Sequence, residues 1–354
     1  MNREFWRGKR VFLTGHSGFK GGWLSLWLSE MGAEVYGYSL APLTHPNLFS
    51  VLKLEDRICN SEIGDIRDAH GFSAAMGRAK PDIVLHLAAQ PLVRHSYLDP
   101  VETYAVNVMG TVNLFEAARR VGTVRAMVNV TTDKCYENRE WVWPYRENEA
   151  MGGFDPYSSS KACSELVTSA YRQSFFAQQG VHVASARAGN VIGGGDWAKD
   201  RLVPDFLRSI DSDETLEIRS PSATRPWQHV LEPLAGYLML AEQLVVQGGE
   251  MAGAWNFGPD DSDARSVQWI VERLCNHIDG ASWSCDSAPQ PHEANHLKLD
   301  SSKAKVRLGW LPRWGLELAL EKTLAWHRAW KSGSDMADYS LEQIADYESI
   351  TVAR

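Results

Sequence analysis

Short apolar runs alternate with longer amphipathic stretches through the first half of the chain. Arg10–Thr14 is a β-branched and aromatic run that stops at Gly15. Trp23, Leu24, Trp27, Leu28 and Met31 then recur at helical spacing, which predicts a helix with one apolar face. Glu34–Leu40 predicts the next strand. Asp82–Ala89 is almost continuously apolar, as a strand covered on both faces must be. The spacing further predicts a long helix over 101–121, a strand over 126–132, a helix over 157–178 and a strand over 182–188. Strands separated by helices at these intervals imply right-handed crossovers and one open, doubly wound parallel sheet, an α/β fold.

The pattern changes after about residue 187. Gly193–Gly195, Asp211–Glu217 and Ser220–Pro226 are rich in loop formers, and the helical patterns shorten. This predicts a smaller α/β substrate-binding domain built mainly from 187–354, beside a main domain over 1–186. The interval 226–258 is expected to return to the main sheet, because Ala254–Phe257 reads as one more short strand. Lys331–Asp338 is polar and is expected to be a mobile connection.

Composition narrows the function classes. With 44% hydrophobic residues, the 354-residue chain has ample material for a core. A formal charge of -8 argues against nucleic acid or an anionic membrane as partner, yet a few Arg side chains and backbone amides can still hold a diphosphate. The five Cys show no CxxC pair and no zinc spacing, so free thiols and no metal are expected. No segment approaches the roughly 20 apolar residues of a membrane span. The first residues lack an apolar stretch before a cleavage site, so a cytoplasmic location is expected.

The run Val11–Thr14 leads straight into Gly15-His16-Ser17-Gly18-Phe19-Lys20-Gly21, a GxxGxxG turn that opens a helix. Glycines permit the tight turn and let backbone amides at the helix N-terminus approach a pyrophosphate. The order strand, glycine turn, helix identifies a Rossmann-type dinucleotide site, with Gly15, Ser17, Gly18, Phe19 and Gly21 as its loop. The end of the next strand holds Tyr38-Ser39-Leu40, with neither an acid for a ribose nor an Arg for a 2′-phosphate. That corner does not choose between NAD and NADP. Asp65 and Ile66 are candidates to contact adenine, and Asp65 could equally cap the following helix.

Tyr157 and Lys161 stand four apart, on one helical face. An ammonium beside a phenol favours the phenolate, which can take a hydroxyl proton while hydride leaves the same carbon. The pair follows the glycine loop, the strand end Leu87-Ala88-Ala89 and the strand end Thr131-Thr132-Asp133-Lys134.

These segments together resemble the extended short-chain dehydrogenase/reductase family, and within it the sugar-nucleotide 4,6-dehydratases. The resemblance runs along most of the chain, through GHSGFKGGWLSLWL (15–28), GDIRD (64–68), HLAAQPLVRHSY (86–97), NVTTDKCYENREW (129–141), YRENEAMGGFDPYSSSKACSELV (145–167), RAGNVIGGGDW (187–197) and RPWQHVLEPL (225–234). It implies NAD as cofactor, with Leu87, Ala88 and Ala89 among its contacts, a nucleotide sugar (CDP-glucose first) as substrate, and a homodimer joined through the 101–121 and 157–178 helices. It implies C4 oxidation by Tyr157, helped by Lys161 and Thr132, then loss of water across C5 and C6, then return of hydride to C6. Asp133 takes the place of the acid. Lys134 stands where related dTDP-sugar enzymes carry a Glu base. That chemistry requires a proton on Asp133 and none on Lys134. Adjacent strand residues face opposite ways, so both reach one substrate only if the strand ends here. A structural Asp133–Lys134 ion pair, or a charged Lys134 steadying an enolate, remains open.

On the substrate side the resemblance points to Asn190, and Arg225 is suited to bidentate diphosphate binding. Arg201 is either a second phosphate partner or a plain surface charge. Trp227 and His229 are pocket residues or core residues, and His292-Glu293-Ala294 is a further segment that could face the same pocket. A 4-epimerase or decarboxylase would need the glycine loop and Tyr157/Lys161 without Asp133 and Lys134. A non-catalytic NAD sensor would need only the loop.

Overall fold

The computed structural model describes residues 1–286 and 296–350. Its main sheet has seven strands: β1 (Arg10–Thr14), β2 (Glu34–Ser39), β3 (Asn60–Ile63), β4 (Ile83–His86), β5 (Ala126–Val130), β6 (His182–Ala188) and β7 (Gly253–Phe257). They lie in the order β7-β6-β5-β4-β1-β2-β3, and every neighbouring pair is parallel. The chain winds outward from β1 to β3 and then crosses back to β4. The crevice beyond the carboxyl ends of β1 and β4 is therefore the switch point where ligands bind in such sheets.

The principal helices are α1 (Phe19–Glu30), α2 (Ala69–Ala79), α3 (Gly110–Val121), α4 (Pro156–Tyr171), α5 (Leu202–Asp211), α6 (Leu231–Val246), α7 (Val267–Asn276), α8 (Leu316–Lys331) and α9 (Met336–Ser349). Strand alternation sorts the core into two layers. Val11 and Leu13, Ile83 and Leu85, and Val128 and Val130 face α1 and α6. Phe12, Val84 and Met127 face α2 and α3. A separate cluster joins α5, α7 and α8 through Phe206, Ile270, Leu274 and Leu320, and it forms the smaller unit beside the sheet. The expected return to the main sheet is seen: β7 pairs with β6 over Gly253–Phe257.

Four features differ from the sequence expectation, each for a physical reason. β3 (Asn-Ser-Glu-Ile) is a polar edge strand held by its register with β2, and it carries no hydrophobic period to announce it. The helices after residue 187 are not short. α6 and α8 each span 16 residues, and α6 is apolar on nearly all sides, which hides a helical period. Short strands at Leu216–Ile218 and Thr224–Pro226 occupy stretches expected to be loop. Lys331–Asp338 is not a mobile link: Lys331 ends α8, and Asp335 caps α9 by accepting from the Ala337 amide at 3.0 Å. α9 then lays Ala337, Ile344 and Tyr347 on the main core. Among the described residues no helix is long and apolar enough to cross a membrane, and no cluster of His, Cys, Asp or Glu is placed to hold a metal.

Three histidines sealed in this core set an acid limit. Burial holds the imidazole of His16 down at about 4, and those of His86 and His229 at about 3. Below pH 6.5 the unfolded chain binds protons that the folded chain refuses. Stability is thus complete above pH 6.5 and falls as the pH drops toward those values, by up to about 1.4 kcal/mol per group per pH unit. A shift from pH 7 to 5.5 should cost about 3–4 kcal/mol over the three, read as a lower urea midpoint. An unchanged midpoint would mean that the folded protein accepts these protons.

Candidate active site

The glycine turn after β1 requires its glycines. Gly15 has φ +79°, and a Cβ there would lie 2.8 Å from the Ala88 amide nitrogen at the end of β4. A Cβ on Gly21 would collide with the Gly15 carbonyl. Gly18 caps α1 with no side chain of its own, which leaves the first amides of the helix facing outward. Thr14 Oγ1 accepts from the Leu87 and Ala88 amides at 3.1 Å and contacts His86 Nδ1 at 2.7 Å, so the ends of β1 and β4 are locked together. Ser17 Oγ lies 2.8 Å from Ser39 Oγ and donates to the Leu40 carbonyl. Asp65 does not cap α2. Asp68 does, accepting from His70 and Gly71, while Asp65 chelates the Arg67 guanidinium, which keeps its carboxyl below the usual range. The side chain of Ile66 packs into the core against Gly110.

β5 ends at Val130, and Thr132 begins a tight 3₁₀ turn over Asp133–Cys135. Asp133 and Lys134 therefore come from a turn, and both line the same cavity. Thr132 Oγ1 donates to Asp133 Oδ1 at 3.0 Å, and Lys134 Nζ lies 3.8 Å from that oxygen. Asp133 Oδ2 is buried with no hydrogen-bond partner among the described residues. Tyr157 sits in the first turn of α4, where Asp155 caps the helix by accepting from the Ser158 amide. Lys161 follows one turn later and donates to the Val130 carbonyl at 3.2 Å.

The expected low-pKa phenol is not what the protein alone sets up. Burial pushes Tyr157 up to about 12, Thr132 and the Arg201 charge pull it down, and Asp133 pushes it up. Burial brings Lys161 down to about 8, against the pull of Glu165. Glu165 belongs to a buried network unforeseen from sequence: it accepts from Thr131, Ser185 and Arg187, and Arg187 also donates to Tyr136. This network anchors the strand end that carries Thr132.

One cavity of about 560 Å³ at the switch point is lined by every singled-out residue from the loop (Gly15, Ser17, Gly18, Phe19, Gly21), the strand ends (Asp65, Ile66, Leu87, Ala88, Ala89), the turn and α4 (Thr132, Asp133, Lys134, Tyr157, Lys161) and the substrate side (Asn190, Arg201, Arg225). Asn190 Oδ1 is buried without a partner among the described residues. Arg225 lies in the short strand Thr224–Pro226, not in a loop, and is almost fully buried. Arg201 is held by Asp196 at 2.8 Å and its charge reaches Tyr157, so it is a cavity residue and not a plain surface charge. Trp227 lines the cavity. His229 is a core residue, packed between Trp23 and Trp314. His292-Glu293-Ala294 lies outside the described residues. Lys20 was missed: its amine lies in the cavity, brought down to about 7 by burial and by Arg201 and Lys161. A Lys inside a glycine loop, on a turn that must pack closely, was the available signal.

A doubly wound sheet with a glycine turn at its switch point, and a Tyr/Lys pair across the cavity, defines the extended short-chain dehydrogenase/reductase class. Within it, the family described as GDP-mannose 4,6 dehydratase matches residues 12–323, and the chain belongs to that family. It is 56% identical over 99% of both chains to the CDP-glucose 4,6-dehydratase of Salmonella typhimurium. It is 26% identical to the dTDP-D-glucose 4,6-dehydratase of Mus musculus, over 90% of this chain and 89% of that one. The crystal structure of dTDP-glucose 4,6-dehydratase from Bacillus anthracis in complex with NAD superposes with a TM-score of 0.74 at 19% identity, covering 92% of this chain and 99% of that one.

Proposed function

We propose that the protein is an NAD-dependent CDP-glucose 4,6-dehydratase, converting CDP-glucose to CDP-4-keto-6-deoxyglucose and water. The observation that carries this reading is the Asp133–Lys134 turn set against Tyr157 in one cavity, in a chain 56% identical to a CDP-glucose 4,6-dehydratase along its whole length. An epimerase has no use for that pair.

The cradle suits a dinucleotide: the Gly15 and Gly21 positions admit no side chain, and Gly18 leaves free amides for a pyrophosphate. Gly15, Ser17, Gly18, Phe19 and Gly21 would hold the diphosphate, with Leu87, Ala88 and Ala89 along the nicotinamide side and Asp65 and Ile66 near the adenine. NAD+ held there would supply the hydride chemistry, as acceptor at C4 and donor at C6. Tyr157 takes the proton of the C4 hydroxyl, Lys161 holds the nicotinamide ribose, and Thr132 holds the C4 oxygen. The resulting ketone acidifies the C5 proton. Asp133 protonates the departing C6 hydroxyl while Lys134 serves C5. Asn190, Arg201 and Arg225 meet the sugar diphosphate. Gly21→Ala is expected to lower NAD+ affinity at least tenfold by titration calorimetry, because the turn must open to relieve the clash with Gly15.

The cytoplasm is the expected location, in keeping with free Cys side chains in the described chain. A homodimer is supported by exposed Leu98, Val101 and Met109 beside exposed Leu166 of α4. Light scattering should then return twice the 39.6 kDa chain mass. The activity test is a panel of CDP-, dTDP-, GDP- and UDP-hexoses. CDP-glucose should yield an alkali-induced 4-keto absorbance with no net reduced nicotinamide. Silence with every glucose nucleotide would overturn the dehydratase.

A further inference from the structure

We propose that Lys20 is a diphosphate-binding residue: its amine, carried on the glycine loop, closes on a phosphate of the dinucleotide or of the nucleotide sugar. This rests on the dehydratase reading above, whose cofactor and substrate are both diphosphates and carry no carboxylate.

Packing does not explain a lysine at this place. From Phe19 to Ser29 it is the one charged residue of α1. Trp23, Leu24, Trp27 and Leu28 behind it belong to the core, so an apolar side chain would suit the helix better. The backbone that carries Lys20 is fixed on both sides. No Cβ fits on Gly21, which lies against the Gly15 carbonyl, and a Cβ on Gly22 would meet Leu48 at 2.8 Å. The Phe19 ring comes within 3.2 Å of where a Cβ on Gly193 would stand, which pins the loop to the far wall. The turn thus delivers the Lys20 side chain to the cavity.

Three lysines line that cavity, Lys20, Lys134 and Lys161. Lys134 Nζ lies 3.8 Å from Asp133, and Lys161 donates to the Val130 carbonyl. Lys20 has neither a hydrogen bond nor an ion pair among the described residues. The acids whose charges reach it are already engaged: Asp196 accepts from Arg201 and the Ala198 amide, and Asp133 accepts from Thr132. Burial first, then the charges of Arg201 and Lys161, bring the Lys20 amine down to about 7, against the pull of Asp133 and Asp196. A phosphate oxygen against Nζ would supply an acceptor and favour the ammonium. The fold sets a cation beside cations, and the anions that this reaction brings are diphosphates. Lys20 joins the helix amides suited to the cofactor to Arg201 on the substrate side, so both are sources of that phosphate.

Titration calorimetry of the purified protein with NAD+, CDP, adenosine and cytidine tests this. Lys20→Met should weaken NAD+ or CDP binding about tenfold or more, and hold both nucleosides within about twofold of wild type. A loss with NAD+ assigns the phosphate to the cofactor, and a loss with CDP assigns it to the nucleotide sugar. If Lys20→Met does not hold the nucleosides as wild type does, Lys20→Gln carries the same comparison. Wild-type affinity for both diphosphates, or an equal loss with nucleoside and diphosphate in both variants, would overturn the assignment. A wild type that binds neither NAD+ nor CDP, and forms no 4-keto product from any glucose nucleotide, would overturn the dehydratase reading and the assignment with it.

Discussion

Tyr157→Phe is expected to lower turnover of CDP-glucose about 1000-fold, with NAD+ affinity and thermal midpoint close to wild type. The ring keeps its place in the first turn of α4, beneath a helix cap made by Asp155, so the fold loses nothing that it depends on. What disappears is the oxygen beside Thr132, and with it the group that takes the C4 proton. Thr132 is a poor base, and its hydroxyl is already given to Asp133. The first oxidation should therefore fail, and mixing the variant with CDP-glucose should give no transient reduced-nicotinamide absorbance. A normal transient would place the base elsewhere. Lys161→Met should behave differently. If its amine, held by the Val130 carbonyl, serves the nicotinamide ribose as proposed, the variant should lose cofactor affinity as well as rate.

The scaffold was legible in the sequence because parallel strands buried on both faces leave apolar runs, and because a dinucleotide turn admits only glycine at certain positions. Tyr157 and Lys161 were legible because helical spacing places them on one face. The gaps have physical causes too. β3 is an edge strand whose polar Asn60, Ser61 and Glu62 owe their extended form to pairing with β2, a tertiary effect. α6 was not seen as a full helix because burial on all sides erases its period. Sequence alone leaves Arg201 between a phosphate partner and a surface charge, because the ion pair with Asp196 and its reach toward Tyr157 are made by folding. In the protein alone desolvation is the largest influence on Tyr157, and charges read along one helical face carry no trace of it. The condition set on Asp133 and Lys134, that the strand must end before them, could be stated from sequence alone. The 3₁₀ turn after Val130 meets it.

Asp133→Asn is expected to separate the two halves of the reaction, leaving C4 oxidation within about tenfold of wild type and slowing water loss about 100- to 1000-fold. Asparagine preserves the shape and can still accept from Thr132, so the turn that carries Lys134 should survive. It cannot give a proton to the C6 hydroxyl. Rapid quench should then trap a 4-keto-glucose nucleotide with its C6 hydroxyl intact, alongside reduced nicotinamide that persists instead of vanishing. Turnover like wild type would remove Asp133 from the role of acid. Lys134→Ala completes the argument, because an ion pair and a base predict opposite results at C5. Lys134 Nζ lies 3.8 Å from Asp133 Oδ1, close enough for either role. If Lys134 handles the C5 proton, the alanine variant run in D2O should oxidise C4 yet stall before deuterium reaches C5. If Lys134 only balances the charge of Asp133, C5 should take up deuterium at the wild-type rate, and the base must be sought in a water or another side chain of the cavity.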